Sequence, residues 1–262
     1  MLWCRFQLQT KISYGLIEGD TVTAVDGNPF GEHAVTPAKH KLSDVKLLVP
    51  VVPPTFYAIG SNYRNHVIGI AKGKGTPPKF YDEPRVGYRA NSALIAHGED
   101  IVKPRDSTPV FQYEGELVAV VGKTARNVTP EQARECIFGW TIGNDVSERT
   151  WQHKDVTNLR SKNSDTFKPM GPYIATGIDP KEMTTYVRIN GETVHTFPTG
   201  NMLFDAARVL SDISRYCTLT PGDVLWLGTD EVPKNLVPGD LIEVEITGIG
   251  TLGNRVVAEK LP

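Results

Sequence analysis

The sequence is poor in the features that mark several protein classes. It has three cysteines, Cys4, Cys136 and Cys217, odd in number and far apart, which argues against a disulfide framework or a cysteine zinc site and fits a reducing, cytoplasmic setting. The formal net charge is only −2, so no basic face is expected for nucleic acid or an anionic membrane. No apolar run approaches the ~20 residues that cross a bilayer. The first fifteen residues alternate polar and apolar and read as a first strand rather than a signal peptide. Hydrophobic residues at 40% and charged residues at 22% leave a globular chain with ample material for a core.

Short alternating stretches at roughly 3–9, 14–18 and 21–26, ending in Asp26-Gly27-Asn28-Pro29, predict a small β meander. The proline-rich segment Leu48–Pro54 reads as a linker. The expected division is a small N-terminal β domain with its linker over 1–54 and a larger catalytic domain over 55–262. Residues 69–79 combine three glycines, two prolines and three lysines, and read as a surface loop, either a plain linker or an active-site lid. Strands are expected at 55–60, 111–121, 137–144, 172–176, 185–190, 193–197, 223–228, 241–247 and 254–258. Helices are expected at 130–136, with Thr129 as N-cap, and at about 202–216, where Leu203, Ala206, Ala207, Leu210, Ile213 and Ser214 share a face. The sum is a mostly β, α+β chain. Gly248-Ile249-Gly250-Thr251-Leu252-Gly253 matches a dinucleotide fingerprint, but a strand-like sequence follows instead of the required helix, so these glycines are read as a tight turn.

The chemistry concentrates in carboxylates. Glu114 and Glu116 lie two apart on an expected strand, which would turn both to one side. Like charges that close repel unless a cation sits between them, and all-oxygen sites suit Mg²⁺, Mn²⁺ or Ca²⁺. An E-x-E on a strand can equally be a solvated face. Asp145, at the end of another expected strand, is placed for a cleft or for a helix N-cap. Lys162 falls in a polar, loop-like stretch, exposed or else near a developing anion.

Six stretches in order then resemble the fumarylacetoacetate hydrolase family: residues 58–66 (AIGSNYRNH), 113–117 (YEGEL), 139–147 (GWTIGNDVS), 162–166 (KNSDT), 219–223 (LTPGD) and the strand pair over 250–257. The resemblance implies a mixed β-roll core and a likeness of the leading meander to the family's small N-terminal domain. It implies Mg²⁺ or Mn²⁺ held by Glu114, Glu116 and Asp145. It also implies catalytic roles for His66 and Lys162, substrate contacts from Gln152, Lys162 and Thr229, a small 2-oxo carboxylate as substrate, and a homodimer. The activity it implies first is hydrolysis of a C–C bond in a 2,4-dioxo, acylpyruvate-like carboxylate through an enolate held on the metal. The alternatives are decarboxylation, isomerisation or hydration on the same fold, and, in another class, a non-catalytic metal- or small-molecule-binding protein. Three positions depart from the family pattern. Gly69 stands where a Glu partners the His, leaving Asp82 or Glu83 as substitutes. Thr229-Asp230-Glu231 replaces Thr-Pro, which puts an acidic pair near the pocket. Ser61 stands where Arg is common.

Overall fold

The computed structural model describes residues 1–230 and 232–260; Glu231, one of the acidic pair, lies outside them. The chain opens with β1 (Leu2–Leu8), β2 (Lys11–Glu18), β3 (Thr21–Gly27), β4 (His33–Lys41) and β5 (Lys46–Leu48), followed by β6 (Phe56–Gly60), α1 (Arg64–Gly73) and β7 (Arg85–Tyr88). Next come β8 (Leu94–Ile95), β9 (Ile101–Lys103), β10 (Phe111–Gln112), β11 (Gly115–Val121), α2 (Pro130–Cys136) and β12 (Ile137–Asn144). The second half holds β13 (Ser147–Glu148), α3 (Arg149–Gln152), α4 (Leu159–Asn163), β14 (Lys168–Ala175), β15 (Thr184–Ile189), β16 (Glu192–Pro198), α5 (Ala206–Ser214), β17 (Val224–Trp226), β18 (Leu241–Ile246) and β19 (Gly250–Ala258).

The large sheet runs β4-β3-β2-β1-β14-β12-β11-β17-β6-β7, with β5 on β1 and β8 on β14. The N-terminal meander is therefore continuous with the main sheet, through antiparallel pairing of Leu2 and Trp3 with Ala175 and Ile174. A second sheet, β16-β15-β18-β19-β9, packs nearby, and β10 pairs with β13. Most pairings are antiparallel, while β17–β6, β14–β8 and β19–β9 are parallel, so the fold is mixed and mostly β.

The central strand β11 is buried on both faces, and its alternation divides two cores. Leu117, Ala119 and Val121 pack with Ala207, Leu210 and Ile213 of α5. Val118 and Val120 join Trp3, Met170 and Trp226 on the other side. A strand flanked this way carries apolar side chains at every position, which is why GELVAVV reads as an unbroken run. Gly143 of β12 lies against the Trp226 ring, and a Cβ there would stand 2.6 Å from it. α2 begins with a capping box: Thr129 Oγ1 accepts from Gln132 N, and Gln132 Oε1 accepts from Thr129 N.

Several boundaries differ from the expectation. β4 was not anticipated, because it is an edge strand exposed along most of its length and lacks an apolar face. Residues 64–73 form α1, so the expected loop at 69–79 begins only after Gly73. Val67 and Ala71, one turn apart and buried, pin that helix despite its poor composition. The stretch around Lys162 is the short helix α4, because Asp155 accepts from Leu159 N at 3.0 Å and Ser161 N at 2.7 Å at its start. The expected helix at 202–216 is confined to α5, with Asp205 accepting from Arg208 N at 2.8 Å. The strand expected over 111–121 is broken, and Glu114 falls in the break between β10 and β11. Gly248 and Gly250 have φ of +83° and +133°, and form the tight turn between β18 and β19.

Candidate metal centre and active site

Glu116 belongs to β11, opposite Gly143 of β12. Glu114 precedes the strand. Its backbone N–H donates to Asn144 Oδ1 at 3.0 Å and its carbonyl accepts from Asp145 N at 2.9 Å. The break in the strand, not the pleat alone, thus turns Glu114 toward Glu116 and holds Asp145 beside both. Carboxylate oxygens of the three residues lie within 4.8 Å of one another, and all three side chains are buried.

Four cations surround them. Lys162 Nζ donates to Glu114 Oε2 at 2.5 Å and to Asp145 Oδ2 at 2.6 Å. Arg149 Nη2 donates to Glu114 Oε1 at 2.6 Å. Arg89 grips Asp145 with two bonds, Nε to Oδ1 at 3.1 Å and Nη2 to Oδ2 at 2.8 Å. Lys168, fully buried, has its Nζ 2.8 Å from Asp145 Oδ1. Burial opposes ionisation of Glu114 and Asp145, but the surrounding cations outweigh it. Arg149 and Lys162 bring the Glu114 carboxyl down to about 2. Arg89, Lys162 and Lys168 hold Asp145 well below the usual carboxylate range. Burial pushes the Lys168 ammonium down to about 7, against the pull of Asp145.

Glu116 is the exception. Among the described residues no ion pair involves it, and its Oε2 accepts from Gly228 N at 2.8 Å. Burial first, then the charges of Asp145 and Glu114, raise its carboxyl well above the usual range. A buried carboxylate with an uncommitted oxygen beside two others is a fitting place for a hard divalent cation. The donor set therefore suits a hard divalent cation, which Glu114, Glu116 and Asp145 would hold.

The three carboxylates face a cavity of about 460 Å³. His66, Ser61, Gln152, Lys162 and Thr229 also line it. His66, on α1, places Nε2 3.9 Å from Glu114 Oε1. Gln152 Oε1 accepts from Arg149 Nη1 at 3.4 Å. All the residues expected at the site are thus brought to one cavity, and Lys162 is buried rather than exposed. Asp82 and Glu83 are exposed and do not line the cavity, so neither replaces a glutamate at position 69. Asp230 is buried and accepts from Asn65 N at 3.2 Å and Asn65 Nδ2 at 3.0 Å, at the start of α1. Thr166 Oγ1 accepts from Val102 N at 2.8 Å and so ties the segment after α4 to β9.

Arg89, Arg149 and Lys168 were not anticipated. Arg149 carries a weak signal, four residues beyond Asp145 at the start of a helical turn. Lys168 carries none beyond a charge heading the apolar strand β14.

Comparison with known proteins agrees with the fold. Residues 55–257 match the family described as fumarylacetoacetate (FAA) hydrolase C-terminal, and residues 1–50 match the Rv2993c-like N-terminal family. The chain is 34% identical over 261 residues to Protein Rv2993c of Mycobacterium tuberculosis, covering 96% of each. It is 31% identical to oxaloacetate tautomerase YisK of Bacillus subtilis over 229 residues, 83% of this chain and 75% of that one. A solved structure described as 5-carboxymethyl-2-hydroxymuconate delta-isomerase from Mycobacterium smegmatis superposes with a TM-score of 0.89 at 34% identity, covering 99% of this chain and 100% of that one. With the family match spanning most of its length and the three carboxylates gathered in one cavity, the chain belongs to the fumarylacetoacetate hydrolase family.

Proposed function

We propose that this protein is a divalent-metal-dependent enzyme that moves a proton at the carbon beside the 2-oxo group of small 2-oxo carboxylates, as a keto–enol tautomerase or double-bond isomerase. One observation carries the choice. A Cβ at position 69 would collide with Cγ2 of Val232, so the place of a water-activating glutamate on α1 is filled by an aliphatic side chain. Among the described residues, Glu114, itself a candidate metal ligand, lies with its Oε1 3.9 Å from His66 Nε2. Hydrolysis needs an activated water as well as an enolate, whereas tautomerisation needs one base and a stabilised enolate. Two of the similar proteins, one named a tautomerase and one an isomerase, support the same reading, beside others named hydrolase or decarboxylase.

In this reading His66 takes the proton and returns it. Lys162, buried and already shared between two carboxylates, gives its charge to the enolate oxygen or the substrate carboxylate as charge develops. Gln152 and Thr229 orient the substrate from the cavity wall. When bound, the metal supplies a Lewis acid for the 2-oxo oxygen. Arg89 and Lys168 keep Asp145 ionised and so ready as a ligand.

The test is loss of the enol absorption of oxaloacetate with Mg²⁺ and with chelator, with products resolved by chromatography. Chelator-sensitive conversion that leaves a four-carbon acid supports the reading. Metal-dependent release of pyruvate from acylpyruvates, without tautomerisation, would place the enzyme with the hydrolases instead.

A further inference from the structure

Four strong cations line the cavity: Arg85, Arg89, Arg149 and Lys162. Three of them are committed to the metal-centre carboxylates. Arg85 is different. Among the described residues no carboxylate makes an ion pair with it, and its guanidinium lies over the Tyr81 ring, 4.8 Å from the centroid. That stacking restricts the long side chain without neutralising it.

The strand carries the geometry. Arg85 opens β7 opposite Gly60, and Arg89 just follows the strand with its N–H donating to Phe56 O at 3.0 Å. Alternation puts positions 85, 87 and 89 on one face. The middle position is Gly87, where an added Cβ would meet only Arg89 Nη1 at 3.9 Å and Ala58 O at 4.0 Å. No side chain therefore separates the two arginines along the cavity wall. Arg89 marks the inner end, beside Asp145, and Arg85 the outer end. Four residues of strand span roughly 13 Å between their Cα atoms. An acid held at the carboxylate cluster therefore reaches that outer end only with a second carboxylate several carbons from its 2-oxo group.

Resting on the proposed function, we propose that Arg85 determines specificity by binding the distal carboxylate of 2-oxo dicarboxylates about six carbons long. The 2-oxo carboxylate end sits at the metal centre, and the tail runs past Gly87 to the guanidinium at the mouth. A monocarboxylate of the same length would leave the Arg85 guanidinium without an anionic partner.

The experiment is calorimetric binding to the Mg²⁺-loaded full-length protein with three probes: oxalate, 2-oxoadipate and 2-oxohexanoate. Oxalate reports the metal end alone, and the other two differ only in the distal carboxylate. The expected result is at least about a tenfold preference for 2-oxoadipate over 2-oxohexanoate, shrinking as salt rises. Arg85→Gln should reduce it to within about twofold, and Arg85→Lys should retain part of it, with oxalate affinity unchanged in both. Equal binding of the two six-carbon acids by the unmutated protein, or an undiminished preference in Arg85→Gln, would overturn the assignment while leaving the metal-centre reading intact. Failure of oxalate to bind would bring down that reading and this inference with it.

Discussion

Cγ2 of Val232 occupies the space into which any side chain at Gly69 would project. The contact joins α1, which carries His66, to the segment after Thr229, and it removes one means of activating water. Because Val232 is more than half exposed and can turn aside, Gly69→Glu should destabilise the fold by only about 0.5–1 kcal/mol in denaturant unfolding. Adding Val232→Ala should recover at least half of that loss. A Gly69→Glu variant as stable as the unmutated protein would show that Val232 does not fill the site.

Glu116 is the buried carboxylate that a divalent ion would satisfy. Glu116→Gln keeps its shape and removes a carboxyl whose ionisation burial and the neighbouring Asp145 and Glu114 oppose, so the metal-free variant should unfold at the same or a higher temperature. It should lose the stabilisation that Mg²⁺ confers, about 2.7 kcal/mol when the ion is at a hundred times its Kd. Scanning calorimetry with and without Mg²⁺ measures both effects. A metal-dependent rise of the original size in the variant would remove Glu116 from the ligand set.

Lys162 stands between Glu114 and Asp145 and is the cation best placed to follow charge onto a substrate oxygen. Lys162→Met should lower kcat by about 10²–10³-fold. Mg²⁺ binding should persist, because Arg89 and Arg149 still hold the two carboxylates. Steady-state kinetics beside metal titration separates the two roles. A variant that loses metal binding along with turnover would make Lys162 a support of the centre instead.

Away from the site, burial lowers the His97 imidazole below its usual value, and its Nδ1 accepts from Gly253 N at 3.0 Å, which requires that nitrogen unprotonated. The folded pKa lies below the unfolded one, so the unfolded state binds more protons between them. The contribution is present above the unfolded value of ~6.5 and is lost as pH falls through the folded value. Urea unfolding should show stability declining from pH 7 toward pH 5. His97→Gln, which can keep the acceptor, should flatten that decline; an unchanged slope would assign it to other groups.

The carboxylate cluster was largely legible in the sequence because its residues sit in short, ordered stretches: Glu114 and Glu116 two apart, and Asp145 at a strand end. The strand pattern read well wherever one face met a core, as in β1, β12 and β18. It failed where burial gave no periodic signal. The exposed edge strand β4 has no apolar face, and α1 and α4 are held by Val67 and Ala71 and by the Asp155 cap rather than by propensity. The geometry of Glu114 depends on a break in the strand that Asn144 and Asp145, about thirty residues away, hold through hydrogen bonds. The cations were the least legible. Arg89 and Lys168 reach Asp145 through sheet topology, and nothing near them in sequence names that partner.

The central claim is proton transfer beside the 2-oxo group at this centre. It is tested most directly by following deuterium exchange at C3 of 2-oxoadipate in D₂O by NMR, with Mg²⁺-loaded protein, with chelator, and with His66→Ala. The account predicts exchange that chelator abolishes and His66→Ala reduces by about 10²-fold or more, with the carbon skeleton intact. Protein that binds Mg²⁺ and oxalate, yet leaves the C3 protons unexchanged or cleaves the chain, would contradict it.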